Sequence, residues 1–167
     1  AEAALDTDLD SIVVGIVNCD IETQNCQERE RGFRVAMAGD KRVQAIYTVN
    51  VPTDAALAQQ AAEQLLTEHP EINVLVGFNE PLAVGTALAV ENLDLRGQVY
   101  EVAFDTNPIC VELLQKGTVC ALIAQNPYAM GYLGVETAWR SLQGQRFDAG
   151  TLINTKTSVI TRETMFT

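Results

Sequence analysis

Apolar residues gather into short runs along this chain: Ile12–Val17, Val43–Val49, Asn73–Phe78, Val99–Phe104 and Val119–Ala124. Most are near-continuous rather than alternating, as in strands covered on both faces of a parallel sheet. Segments with helical spacing lie between and after them, at about Gln27–Ala38, Asp54–Glu68, Pro81–Asn92, Pro108–Lys116 and Pro127–Leu142. Thr53 or Asp54 is placed to cap the second helix, His69-Pro70 ends it, and Gly117 and Gly144 follow their helices as C-terminal stops. Strict strand–helix alternation with short connections predicts an α/β fold built on a doubly wound parallel five-stranded sheet.

Three of the runs end on a polar side chain with a proline two or three residues later: Phe78 into Asn79 with Pro81, Phe104 into Asp105 with Pro108, and Ala124 into Gln125 with Pro127. Proline suits the first turn of a helix, where its missing N–H would be unpaired anyway. Each unit therefore reads as strand, polar tip, helix start. The carboxyl ends of strands in an open parallel sheet line the ligand crevice, so two amides and a carboxylate are expected on one rim, a site for a small polar molecule. The competing reading of each tip is a cap on the helix that follows.

Two stretches break the alternation. Thr151–Thr161 is β-branched and polar, as in an extended edge segment with no obvious partner, and Ala1–Asp10 is acidic and weakly helical. Both ends read as cut from something larger.

Composition narrows the chemistry. A net charge of −11 disfavours nucleic acid or an anionic membrane as partner, because both select a basic face. With one histidine, His69, neither a Ser-His-Asp triad nor a Cys-His pair can form, and no GxGxxG or Walker motif supports a nucleotide. A binding protein without a cofactor is expected, not an enzyme. Asp20, Glu22 and Gln24 alternate faintly like a calcium loop, but the turn glycine and the closing bidentate glutamate are missing. The four cysteines contain no CxxC, so no metal is expected. Cys19 follows the first strand and Cys26 opens the first helix, which permits a bridge and equally two free thiols. Cys110 and Cys120 fall at opposite ends of the sheet and are expected to be reduced core residues.

One stretch carries a resemblance: Val102-Ala103-Phe104-Asp105-Thr106-Asn107-Pro108, then Leu114-Gln115-Lys116-Gly117 and Ile123-Ala124-Gln125-Asn126-Pro127-Tyr128-Ala129-Met130-Gly131-Tyr132. Supporting pieces are Arg31-Gly32-Phe33, Leu65-Leu66 before His69-Pro70, and Asn79-Glu80 before Ala83-Val84-Gly85. From about Ser11 onward the chain resembles the type I periplasmic sugar-binding proteins, the ribose-binding kind in particular. That family has two α/β lobes joined by three crossings that close on a sugar. The resemblance implies that residues 1–125 form the ligand-binding C-terminal lobe. Residues 126–157 would be a helix and strand belonging to the N-terminal lobe, and residues 158–167 the return.

It also implies ligand contacts at Asn79, Asp105 and Gln125, the last at the hinge, with Gln27 as a further candidate. Two departures stand out: the arginine expected six residues before the aromatic of the Gly-Phe pair is Gln27, and the stacking aromatic before the second helix is Thr53. The implied role is an extracytoplasmic or periplasmic solute-binding protein that hands a small sugar-like ligand to an ABC transporter permease. The alternative is the effector or sensor domain of a repressor or membrane receptor. Lactose-type repressors carry Leu-Gly-His before the first strand, where this chain has Asp8-Leu9-Asp10. The apolar face of the helix at 127–142 is expected to pack on another lobe or to form the seam of a dimer.

Overall fold

The computed structural model of the chain describes Ala3, residues 8–19 and residues 23–166. Its elements run β1 (Ile12–Asn18), α1 (Gln24–Met37), β2 (Val43–Asn50), α2 (Ala55–Glu68), β3 (Val74–Gly77), α3 (Glu80–Asn92), β4 (Tyr100–Phe104), α4 (Pro108–Lys116), β5 (Ala121–Ala124), α5 (Pro127–Leu142) and β6 (Ser158–Ile160). They fall into two compact units, Ala1–Ile123 with Val159–Thr167, and Ala124–Ser158.

The strand order is β2-β1-β3-β4-β5-β6, and the pairs from β2 through β5 are parallel. From β1 the chain therefore winds first to one side and then to the other, which makes the β1/β3 junction a topological switch point. Phe33 and Met37 of α1 pack with Val14, Ile16, Val76 and Val102 on one face. Helices α2 to α4 cover the other face, where Ala58, Leu65, Leu82 and Val90 meet Val13, Val17 and Leu75, and Cys110 and Leu114 meet Ala103 and Leu122.

Helix starts follow local chemistry. Asp54 accepts from the N–H groups of Ala56 and Leu57, both at 2.9 Å. Asn79, Asn107 and Asn126 cap α3, α4 and α5 by accepting from Leu82, Cys110 and Ala129, at 3.1, 2.9 and 2.9 Å. Gly117 closes α4 at φ 77°, a left-handed value that glycine adopts without steric cost.

The structure departs from expectation in four places. The sheet has a sixth strand: Ser158–Ile160 lies beside β5, where Ile160 packs against the α4–β5 cluster. Residues 145–157 contain no strand, so the strand expected within 126–157 is absent; Leu152 and Ile153 there are 85% and 50% exposed. Helix α1 begins at Gln24, ahead of the expected Gln27, because the Thr23 carbonyl already accepts from the Cys26 and Gln27 N–H groups at 3.1 and 3.2 Å; Cys26 is also tied to Cys19 by a disulfide with Cα atoms 6.1 Å apart. Cys110 and Cys120 are free as expected, but only Cys110 is fully buried.

In the second unit α5 buries none of its residues. Tyr128, Val135, Trp139 and Leu142 are 81%, 73%, 61% and 82% exposed. No helix among the described residues is long and apolar enough to cross a membrane.

Candidate functional site

The rim formed by the carboxyl ends of the strands is where the residues of interest meet. In β3 and β4, Gly77 pairs with Ala103, and Asn79 and Asp105 each stand two residues further on. Equal offsets on neighbouring parallel strands put the two tips side by side at about the 4.8 Å interstrand spacing. Asp105 turns off its strand at φ 71°, a left-handed backbone rare outside glycine and concentrated at functional sites. Its N–H donates to the Ile123 carbonyl at 3.0 Å, which anchors the turn to β5.

Only one of the three strand-end residues is a helix cap. Asn79 caps α3 through its side-chain oxygen, as the competing reading required, and its Nδ2 donates to Thr53 Oγ1 at 3.5 Å. Asp105 is no cap, since Asn107 serves α4. Gln125 is likewise not a cap, because Asn126 serves α5; it lies half-buried in the second unit, directly after β5.

A residue that sequence reasoning passed over completes the rim. Arg29, on α1, donates from Nη1 to the Phe78 carbonyl, and its guanidinium carbon lies 4.9 Å from the centre of the Phe104 ring. It therefore stands over the residues immediately preceding Asn79 and Asp105. The ring face attracts the cation, by about 0.5–2 kcal/mol according to exposure. Phe78 meets Phe33 and Phe104 edge-to-face at 5.9 and 5.7 Å, which stiffens the platform. Beneath Arg29 a cavity of about 140 Å³ is lined by Phe33, Val76, Phe78, Val102, Phe104 and Ile123. Gln27, the candidate on the same helix, is exposed. The signal that could have found Arg29 is its place four residues before Phe33, on the sheet-facing side of α1.

The rim thus presents a carboxylate that accepts from hydroxyls, an amide, a hydroxyl and a guanidinium that donates, above an aromatic floor. Such a set has the donors and acceptors that a polyol needs, since a carboxylate can accept from vicinal hydroxyls while guanidinium and amide can donate to others. Among the described residues no group of three or more His, Cys, Asp or Glu side chains could hold a metal. Asp20 and Glu22 of the calcium-like alternation lie outside the described residues.

Comparison with known proteins bears on the family and the fold. Residues 1–146 match the family model described as periplasmic binding protein domain. A D-ribose/D-allose-binding protein of Pseudomonas aeruginosa is 31% identical over 133 residues, which cover 79% of this chain and 41% of that protein. The ribose import binding protein RbsB of Escherichia coli is 30% identical over 127 residues, covering 76% and 42%. The chain therefore spans about two fifths of the length of these curated relatives. Among solved structures, GanP, a glucose-galactose binding protein from Geobacillus stearothermophilus, superposes with a TM-score of 0.87 at 30% identity, over 98% of this chain and 57% of that one. A solute-binding protein of an ABC transporter from Agrobacterium vitis, bound with α-D-tagatopyranose, gives 0.86 at 28% identity, over 97% and 52%. With the model match covering most of its length, the chain belongs to the periplasmic binding protein domain family.

Proposed function

We propose that this chain is the C-terminal lobe of an extracytoplasmic solute-binding protein that captures a small sugar and delivers it to the permease of an ABC importer. The observation that carries the reading is the rim at the ends of β3 and β4, where Asn79 and Asp105 directly follow Phe78 and Phe104 and Arg29 reaches both of those aromatic residues. Asp105 accepts from sugar hydroxyls, and Arg29 and the Asn79 amide donate. Gln27, exposed and about 200° around α1 from Arg29, is turned away from these tips and is left out of the contact set. Closure of a second lobe dehydrates the sugar, strengthens these bonds and creates the surface that the permease recognises. In this reading residues 1–125 and 158–167 belong to the binding lobe and 126–157 to its counterpart. The relatives named for sugar binding and import favour transport over the regulatory reading. The Cys19–Cys26 disulfide fits a periplasmic or extracellular location, where thiols oxidise.

Because one lobe holds only part of the contacts, the chain alone is expected to bind D-ribose or D-allose weakly, at about the millimolar level. Saturation-transfer NMR measures this. Asp105→Ala is expected to weaken binding at least about tenfold, the loss of a charged hydrogen-bond partner. Nanomolar binding by the isolated chain, or binding indifferent to Asp105, would overturn the reading.

The exposed face of α5 is proposed to be covered, in the isolated chain, by a second copy of itself. Sedimentation velocity should show a dimer at rising concentration and a monomer for Trp139→Glu; a monomer at all concentrations removes the dimer.

A further inference from the structure

Two adjacent residues of α1 grip opposite halves of the rim. Arg29 reaches the tips of β3 and β4, while Glu30 reaches those of β1 and β2. Asn18 Nδ2, at the end of β1, donates to Glu30 Oε2 at 2.8 Å. Thr48 Oγ1 from β2 and Arg34 Nε from the next helical turn donate to Glu30 Oε1, each at 2.8 Å. Burial works against the charge on Glu30, but the bonds from Thr48, Arg34 and Asn18 outweigh it and hold its carboxyl below the usual range.

The same corner is closed by the disulfide. Asn18, 2% exposed, donates to the Cys26 carbonyl at 3.3 Å and accepts from the Cys19 N–H at 2.9 Å. Cys19 and Cys26 are joined covalently across a separation of seven residues. So short a loop stabilises the whole domain less than a long-range bridge would, and its effect is local. Successive residues on a helix diverge by about 100°, so fixing Cys26 and Glu30 fixes the direction of Arg29. A guanidinium sits roughly 8 Å from the helix axis, and a rotation of about 20° would carry it about 3 Å, out of hydrogen-bond reach.

We propose that Glu30 and the Cys19–Cys26 disulfide are positioning elements of the ligand site: they set the rotation and axial position of α1 so that Arg29 stands over the tips carrying Asn79 and Asp105. The geometric part stands on the contacts alone; its consequence for binding rests on the sugar reading above.

The test is NMR on the intact chain, following the Arg29 side-chain Nε–H signal, assigned with Arg29→Lys and shifted by the Phe104 ring. Cys19→Ser with Cys26→Ser, and separately Glu30→Ala, are each expected to move this signal to its solvent-exposed position. Met37 signals at the far end of α1 should stay unchanged. Glu30→Gln, which keeps an acceptor for Thr48, should restore most of the shift. An Arg29 signal unmoved in both variants overturns the proposal. With D-ribose as probe, the displaced variants are expected to bind roughly tenfold more weakly, the cost of ordering one long side chain afresh. Undiminished D-ribose binding with a displaced Arg29 signal overturns the consequence for binding. No D-ribose binding by the parent chain, with Arg29 displaced in the variants, overturns the sugar reading and leaves the positioning role supported.

Discussion

Glu101→Gln is expected to flatten the loss of stability that the parent chain shows as pH rises from about 5 to 9. Glu101 lies on β4 with no solvent exposure, and its side chain meets Thr86 of α3 at 2.5 Å. The Thr86 hydroxyl has one proton but three acceptors in reach: Glu101 Oε1, the Leu82 carbonyl at 3.1 Å and the Ala83 carbonyl at 3.0 Å. The accounting closes if Glu101 brings its own proton, donating to Thr86 while Thr86 donates into its helix. Oε2 has no hydrogen-bond partner among the described residues, which is tolerable for a neutral acid and costly for a carboxylate.

Burial accordingly pushes the Glu101 carboxyl from 4.5 up to about 8, against a smaller opposing effect of the Thr86 bond. Its ionisable neighbours include the Cys110 thiol on α4, pushed up to about 11 by burial, and the Cys120 thiol, also raised by burial. The native state therefore holds a proton that the unfolded chain has released. This contribution to stability is fully present below the unfolded value of about 4.5 and is lost as pH rises through about 8. The size is on the order of 3–5 kcal/mol. A glutamine stays neutral and its amide can donate to Thr86. Urea unfolding should give similar midpoints for parent and variant at pH 5 and a much higher midpoint for the variant at pH 9. Parallel declines in both proteins would remove Glu101 as the cause.

Gly85→Ala is expected to lower stability by about 3 kcal/mol, although alanine favours helices over glycine by about 1 kcal/mol. A methyl built at Gly85 of α3 would lie 2.5 Å from the Ala55 carbonyl, 2.6 Å from Ala58 Cβ and 2.8 Å from the Gln59 N–H nitrogen. Two of these atoms are backbone of α2, so no side-chain rotation relieves the contact. Relief requires α2 to retreat from α3, which loosens the packing of Ala58 and Ala62. By the usual scaling the melting midpoint should fall by roughly 6–12 °C. Gly131→Ala on α5, where nothing lies within 4 Å, is the control and should be neutral or mildly stabilising. A Gly85→Ala protein as stable as its parent would show that the two helices separate freely.

Local chemistry wrote much of this fold into the sequence. Near-continuous apolar runs are strands because a parallel sheet is covered on both faces, and the Asn79, Asn107 and Asn126 caps with prolines behind them set where α3, α4 and α5 begin. The positions of Asn79 and Asp105 follow from the same units, since a residue at a strand end is at the rim whatever surrounds it. Tertiary structure alone decided the rest. Gln27 and Arg29 sit two positions apart and so about 200° apart around α1. Which of them faces the strand tips depends on the helix rotation, and packing of Phe33 and Met37 together with the Cys19–Cys26 closure sets that rotation. The three residues of β6 carry too little pattern to announce a partner at the far edge of the sheet. Glu101 stands among apolar residues in a charge-tolerant alphabet, and only the closing of α3 and α4 over β4 shows that it must keep its proton.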